Sequence, residues 1–369
     1  MIQRGYADWT LFVKNDEDYL LVAQVYVDDI VFRATIDARA IEFSEEMKKE
    51  FEMSMVGKLT FFLGLQVKQR KEGIFISQEK YAWNIVKKFG LDSKKHASTP
   101  MSSSTKLNID SSRIEVSPTF YRSIIGSLLY LTTSRPDIAF SVGVYARYQA
   151  ALKEFHLTAV KQIIRYVNGT LDYRLLYSKD SNACLAGYSD VDWDGSVDDR
   201  KSTSGGCFYL GNNLVSWMSK KQNSVSLSKA KVDYITAGSY CTQLLWMKKL
   251  LHDYRIPQDT MCVFCDNTSA INLSKNLVQH SKSKHMEIRY HFIRDLVEDK
   301  VVCLEFIHID NQKADIFTKP FDDPRFLNHS IRPSMLVQFL ESHVSCVLYL
   351  FTLIWFLFCR AHIFYRLFV

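Results

Sequence analysis

The sequence lacks the marks of several protein classes. No secretory signal opens it, because Arg4, Asp8 and Lys14 interrupt the short apolar pieces at its start. Its eight cysteines, at 184, 207, 241, 262, 265, 303, 346 and 359, are scattered through apolar stretches and build no disulfide framework. Reduced thiols in an intracellular chain, cytoplasmic or nuclear, are the expectation. Cys262-Val-Phe-Cys265 has a metal-knuckle spacing, but no second pair accompanies it, and strand alternation sends residues three apart to opposite faces. Charge of one sign is not in excess: a net +6 over 369 residues permits a polyanionic partner without requiring one. His285 and His291 lack the i, i+4 spacing of a paired metal site, which leaves hydrogen bonding as their role. No uncharged run reaches the roughly 20 residues of a spanning helix. Residues 344–359 come nearest and read as an appended segment outside any domain core, with a membrane anchor as the alternative.

With 47% hydrophobic and 23% charged residues, the composition is that of a globular chain long enough for two or three modules. Residues 19–31 read as two apolar runs around Tyr26-Val27-Asp28-Asp29, a buried hairpin with acids at its tip. Residues 39–51 give an amphipathic helix with Ile41, Phe43 and Met47 on its apolar side. Residues 59–67 and 73–77 read as strands, and 78–89 as a basic helix capped by Gly90. Residues 96–118 are the clearest linker. Helices are predicted at 119–132, 136–148 and 154–167. From about Leu175 a last module begins, with strands at 183–189, 206–210 and 214–218. A long helix over 227–254, a strand at 261–265, a helix at 284–299, a strand at 301–307 and a helical turn at 313–318 follow. Strands first and alternation afterwards imply a mixed sheet flanked by helices.

Three aspartates recur where a strand-like run gives way to a turn or helix start: Asp190, Asp266 and Asp315. Converging carboxylates of this kind hold Mg²⁺ or Mn²⁺ for phosphodiester chemistry. Lys231, near the start of the long helix, stands where a fourth carboxylate belongs. Three acids and one ammonium sum to −2, enough for about one divalent ion. Asp233 lies about 200° around the helix from residue 231 and is expected to face away. Glu287 sits on a different element, and Asp192 shares the side of Asp190 if its strand persists. Asp28 and Asp29 form an adjacent pair suited to a metal ion, although a hairpin tip ending in solvated acids is ordinary. Lys220, Lys221, Lys282, Lys284, His285 and Arg289 make up a basic set, read either as phosphate-backbone contacts or as a solvated face.

Taken in order, the motifs resemble a known family. They are Tyr-Val-Asp-Asp at 26–29, Phe-Leu-Gly at 62–64, Tyr-Arg-Ser-Ile-Ile-Gly-Ser-Leu-Leu-Tyr-Leu from Tyr121, and Ser-Arg-Pro-Asp-Ile from Ser134. Gly-Tyr-Ser-Asp-Val-Asp-Trp from Gly187, Asp-Arg-Lys-Ser-Thr-Ser-Gly from Asp199, Val-Ser-Trp from Val215, Cys-Asp-Asn from Cys265, Ser-Lys-His from Ser283 and Ala-Asp-Ile-Phe-Thr-Lys-Pro from Ala314 complete the series. The chain is similar, over residues 8–326, to the Pol polyprotein of copia-type long-terminal-repeat retrotransposons of plants. The resemblance implies an α/β (α+β) chain: a reverse-transcriptase palm and thumb remnant at 1–95, a linker at 96–118, and a helical connection at 119–174. A ribonuclease H-like domain at 175–326 and a tail at 327–369 outside the family pattern follow.

Residue by residue, the resemblance implies that Asp28 and Asp29 are polymerase metal ligands, and that Asp190, Asp266 and Asp315 are three of four ribonuclease H carboxylates. Mg²⁺ or Mn²⁺ and an RNA–DNA hybrid are the implied cofactor and partner, with other Pol copies as further partners. The family's Glu-Ala-Glu-Tyr is Lys231-Val-Asp-Tyr234 here, so the resemblance places Lys231 at the second catalytic carboxylate. Asp194 stands where a small residue is usual. The polymerase's other catalytic aspartate is implied to lie before residue 1. The expectation is a decayed copy with a disabled site, and its rivals are a non-catalytic hybrid-binding protein and a translated relic.

Overall fold

The computed structural model describes residues 2–16, 18–103, 117–150, 152–178, 181–193, 195–196, 198–223, 225, 228–275 and 289–321. The apolar runs near the start fold into an antiparallel meander in the order β1 (Ile2–Arg4), β2 (Leu11–Asn15), β3 (Leu20–Tyr26) and β4 (Asp29–Ala34). β3 is apolar on both faces because each face is covered. Leu20 and Val22 enter the main core, while Leu21 joins Tyr19 and Ala34 against Ala40 and Phe43 of α1 (Asp37–Glu50). Ile41, expected on the apolar side of that helix, is 57% exposed.

A second antiparallel sheet runs β5 (Phe61–Phe62), β6 (Leu65–Arg70), β7 (Gly73–Ser77) and β8 (Leu175–Ser178). The unit expected at 175–326 therefore opens with a strand that belongs elsewhere. β8 pairs with β7, Ile76 opposite Leu175, because its alternating Leu175 and Tyr177 complete the core beneath that sheet. The tight Phe62-Leu-Gly turn is structural. Leu63 and Gly64 both have positive φ, the Tyr130 hydroxyl donates to the Leu63 carbonyl at 2.8 Å, and a Cβ at position 64 would collide with that hydroxyl.

The helices of the expected connection, α3 (Pro118–Leu131), α4 (Ala139–Ala146) and α5 (Glu154–Asn168), pack around a second core together with α2 (Glu79–Lys88) from the part expected at 1–95. Ser-Arg-Pro-Asp-Ile supplies its bolt. Buried Arg135 pairs with Asp137 at 2.6 Å, and the Tyr166 hydroxyl donates to the same carboxylate at 2.7 Å. A buried charge survives only when its partners are this complete.

The mixed sheet expected from the alternation is present. β10 (Thr203–Leu210) pairs antiparallel with both β9 (Leu185–Asp192) and β11 (Asn213–Lys221), and β12 (Met261–Cys265) and β13 (Val302–Phe306) run parallel to β9. The spatial order is β11-β10-β9-β12-β13, with β9 at the centre. α6 (Lys229–Asp253) crosses its face, and α7 (Thr268–Lys275) and α8 (Arg289–Glu298) join the strands that follow. This is the ribonuclease H-like arrangement that the resemblance implies.

Cys262 and Cys303, distant in sequence, are register partners on β12 and β13 and are joined as a disulfide, against the expectation of reduced thiols throughout. The three sheets share one core, in which Val22, Ile76, Tyr177, Leu185 and Leu244 take part. Further ties run from the Ala7 amide to Asp253 Oδ2 (2.7 Å) and from Trp217 Nε1 to the Thr132 carbonyl (3.2 Å). Among the described residues no helix is long and apolar enough to cross a membrane, and the tail at 327–369 lies outside them.

Candidate metal centre

The parallel pairing of β9 and β12 brings two acids together. Cys265 is the register partner of Ser189, so the next residues, Asp266 and Asp190, emerge side by side. Asp190 lies inside β9, not at its end, and its partner across β10 is Gly205. A Cβ at position 205 would collide with Thr318 Cγ2, so only glycine lets the turn Asp315–Phe317 settle on β10. Gln312 pins that turn by donating to the Ser189 carbonyl at 3.0 Å. Asp315 is thereby set against Asp190.

Polar contacts hold the carboxylates in place. The Thr318 hydroxyl donates to Asp190 Oδ2, and Lys319 pairs with Asp315 Oδ2 at 2.8 Å. Asn267 Nδ2 donates to Asp233 Oδ2 at 2.6 Å, and Lys229 stands 3.9 Å from Asp266 Oδ2. Asp190, Asp233 and Asp315 are each 1–2% exposed. Burial, then the charge of Asp190, pushes the Asp315 carboxyl up to about 7. Burial also lifts Asp233 to about 7, against the Asn267 hydrogen bond and with help from the charges of Asp266 and Asp190. Asp266 is raised by burial and by Asp190. Mutual repulsion in a poorly solvated place is the shared cause.

The expectation for α6 is reversed. Lys231 is only half-buried and makes no ion pair with Asp190, Asp266 or Asp315; the ammonium groups that do pair with these acids are those of Lys229 and Lys319. The residue turned inward is Asp233. It extends the buried stripe Ala237, Tyr240, Leu244, Met247 and Leu251, spaced four and three residues apart. Residues 231 and 233 do lie on opposite sides of the helix, and it is the side of Asp233 that faces the core. That heptad spacing was the signal that identifies Asp233 from sequence.

The donor set suits a divalent cation. Asp233 Oδ1, Asp266 Oδ1 and Asp315 Oδ1 are all buried without a hydrogen-bond partner, and orphaned carboxylate oxygens on acids that each feel the charge of Asp190 invite a cation. The carboxylates do not yet form a closed cage. Among the described residues, the group that brings three candidate ligand atoms within 4.8 Å of one another is Cys262, Cys303 and Glu305.

The other expected site residues are not drawn into this centre. Asp28 and Asp29 sit at the exposed tip of the β3–β4 hairpin beside Val27, whose φ of 52° is strained for a β-branched residue. Lys220 is exposed near the end of β11, and Lys221 pairs with Asp199 at 2.7 Å. Arg289 opens α8, while Lys282, Lys284, His285, Glu287 and Asp194 lie outside the described residues.

Comparison with known proteins adds ancestry to this geometry. The family model for reverse transcriptase (RNA-dependent DNA polymerase) matches residues 2–103. The retrovirus-related Pol polyprotein from transposon RE2 of Arabidopsis thaliana is 33% identical over 325 residues, which is 88% of this chain and 22% of that protein. The corresponding polyprotein from transposon RE1 is also 33% identical, over 87% of this chain and 22% of its own length. An uncharacterized mitochondrial protein of the same plant, AtMg00810, is 34% identical over 62% of this chain and 93% of its own length. The chain thus spans about a fifth of the two polyproteins.

Proposed function

Because the chain belongs to the copia-type retrotransposon Pol family, with a reverse transcriptase-like part at residues 2–103, we propose that its C-terminal sheet is a ribonuclease H that cuts the RNA strand of an RNA–DNA hybrid. The observation that carries this reading is the convergence of Asp190, Asp233, Asp266 and Asp315 with three orphaned carboxylate oxygens among them. Asp233, Asp266 and Asp315 would hold Mg²⁺ or Mn²⁺, with Asp190 between them. When bound, such an ion lowers the pKa of water and stabilises charge on the phosphoryl oxygens. Asn267 fixes the orientation of Asp233, Thr318 that of Asp190, and Lys319 offsets part of the negative charge. An A-form hybrid would be gripped by its shape, its 2′-hydroxyls and its phosphates, with Lys220 among the contacts. Asp28 and Asp29 would serve the polymerase reaction in the longer polyprotein.

On this reading Asp233, and not residue 231, supplies the fourth carboxylate, which Lys231 on the half-buried side of α6 leaves in place. Incubating the full chain with a labelled hybrid and Mg²⁺ or Mn²⁺ tests it. Metal-dependent cleavage that is lost in Asp233→Asn and little changed in Lys231→Glu is expected. Cleavage restored only by Lys231→Glu would overturn the assignment. Hybrid binding without cleavage is a second reading, favoured by the Lys319–Asp315 ion pair that already engages one carboxylate. It requires salt-dependent binding with no cut product.

A further inference from the structure

We propose that Lys319 stands in for a second cation in the carboxylate centre, so that the centre loads one divalent ion and not two. The inference rests on the metal-centre reading of Asp190, Asp233, Asp266 and Asp315.

An ordinary i, i+4 ion pair on a surface would mean little. This one differs in its partner: the Asp315 side chain is only 3% exposed, and Lys319 reaches it at 2.8 Å with its own side chain 32% exposed. The same ammonium feels the charges of Asp190 and Asp266. Beside it, the Thr318 hydroxyl occupies Asp190 Oδ2. The side of the centre nearest Asp315 therefore already has its positive charge and part of its donor count. What remains open is one oxygen each on Asp233, Asp266 and Asp315, their Oδ1 atoms, a set for a single ion.

Charge points the same way. With all four carboxylates ionised, as they would be around a cation, the acids carry −4, and Lys319 with Lys229 returns +2, leaving −2 to match one divalent ion. Lys229 is the weaker contributor, at 3.9 Å with its side chain 48% exposed. Replacing Lys319 exposes both the charge and the oxygen that a second ion needs. Replacing Lys229 gives up a looser, solvated contact.

The test is to count Mn²⁺ bound to the full chain without nucleic acid. Free Mn²⁺ is read by electron paramagnetic resonance and heats by calorimetry, and Asp190→Asn serves as the baseline for surface binding. Wild type is expected to hold about one ion above that baseline, Lys319→Gln and Lys319→Met about two, and Lys229→Gln about one. Near-ultraviolet circular dichroism checks that each variant is folded, and the two replacements at 319 guard against a fault of either one. Two ions in wild type, or one in both folded Lys319 variants, would overturn the proposal. No binding above baseline in any of them would overturn the metal-centre reading itself, a distinguishable result.

Discussion

At the β3–β4 tip Asp28 and Asp29 stand in solvent, whereas in the C-terminal sheet Asp190, Asp233 and Asp315 are almost wholly covered. Both groups are written as short acidic motifs. Only the covered group bears the physical costs of a built site: carboxyls raised by burial and mutual charge, oxygens without partners, and neighbours such as Asn267 and Thr318 that fix each acid. A buried charge held against repulsion needs a compensating ligand, while a solvated pair does not.

The strongest way to break this contrast is through cleavage. Asp233→Asn is expected to lower hybrid cleavage about 100-fold or more, the several kcal/mol that a metal-held carboxylate supplies, while replacing Asp28 and Asp29 by Asn leaves it unchanged. A rate assay under single-turnover conditions decides it. Equal loss from both would erase the difference between the two regions.

A pH profile of stability without metal comes next. Because Asp233 is raised in the folded protein, its contribution is fully present below about pH 4 and is lost as pH rises through about 7. Asp233→Asn should therefore be more stable than wild type at pH 8, by on the order of 3 kcal/mol, with the gap closing toward pH 4. Urea melts at several pH values measure this.

Smaller effects sharpen the boundary of the buried region. Gly205→Ala forces Thr318 and Phe317 off β10 and should cost about 1–3 kcal/mol, read as a lower melting temperature together with weaker Mn²⁺ binding. Lys231→Glu, on the half-exposed side of α6, should change stability by no more than about 0.5 kcal/mol.

Much of the architecture was legible because its elements are locally consistent. The 261–265 strand, the long helix and the hairpin at 26–29 each carry one clear period or turn. Asp266 and Asp315 do stand at a strand or turn boundary, whereas Asp190 lies within β9 and meets them through the pairing of β9 with β12 and the turn at 315–317. What failed was non-local. The face of α6 was judged from a motif and not from the stripe 237, 240, 244, 247 and 251, which put Lys231 inward in place of Asp233. Cys262 and Cys303 meet only through parallel register, which leaves no trace in sequence spacing. Lys319 pairs with Asp315 four residues away, but the charges of Asp190 and Asp266 that it also meets come from distant segments, which sequence spacing does not show.

Strand β8 has a practical consequence for anyone who divides this chain. A protease nick or an expression boundary just before Leu175 would strip the last strand from the sheet of β5 to β7. It would leave β7 with a raw hydrogen-bonding edge and hand the C-terminal piece a loose apolar ribbon. Each half would then be prone to pair with copies of itself. A seam placed after Ser178 spares that ladder, although the shared core and the Ser178–Asn213 hydrogen bonds still join the two sides.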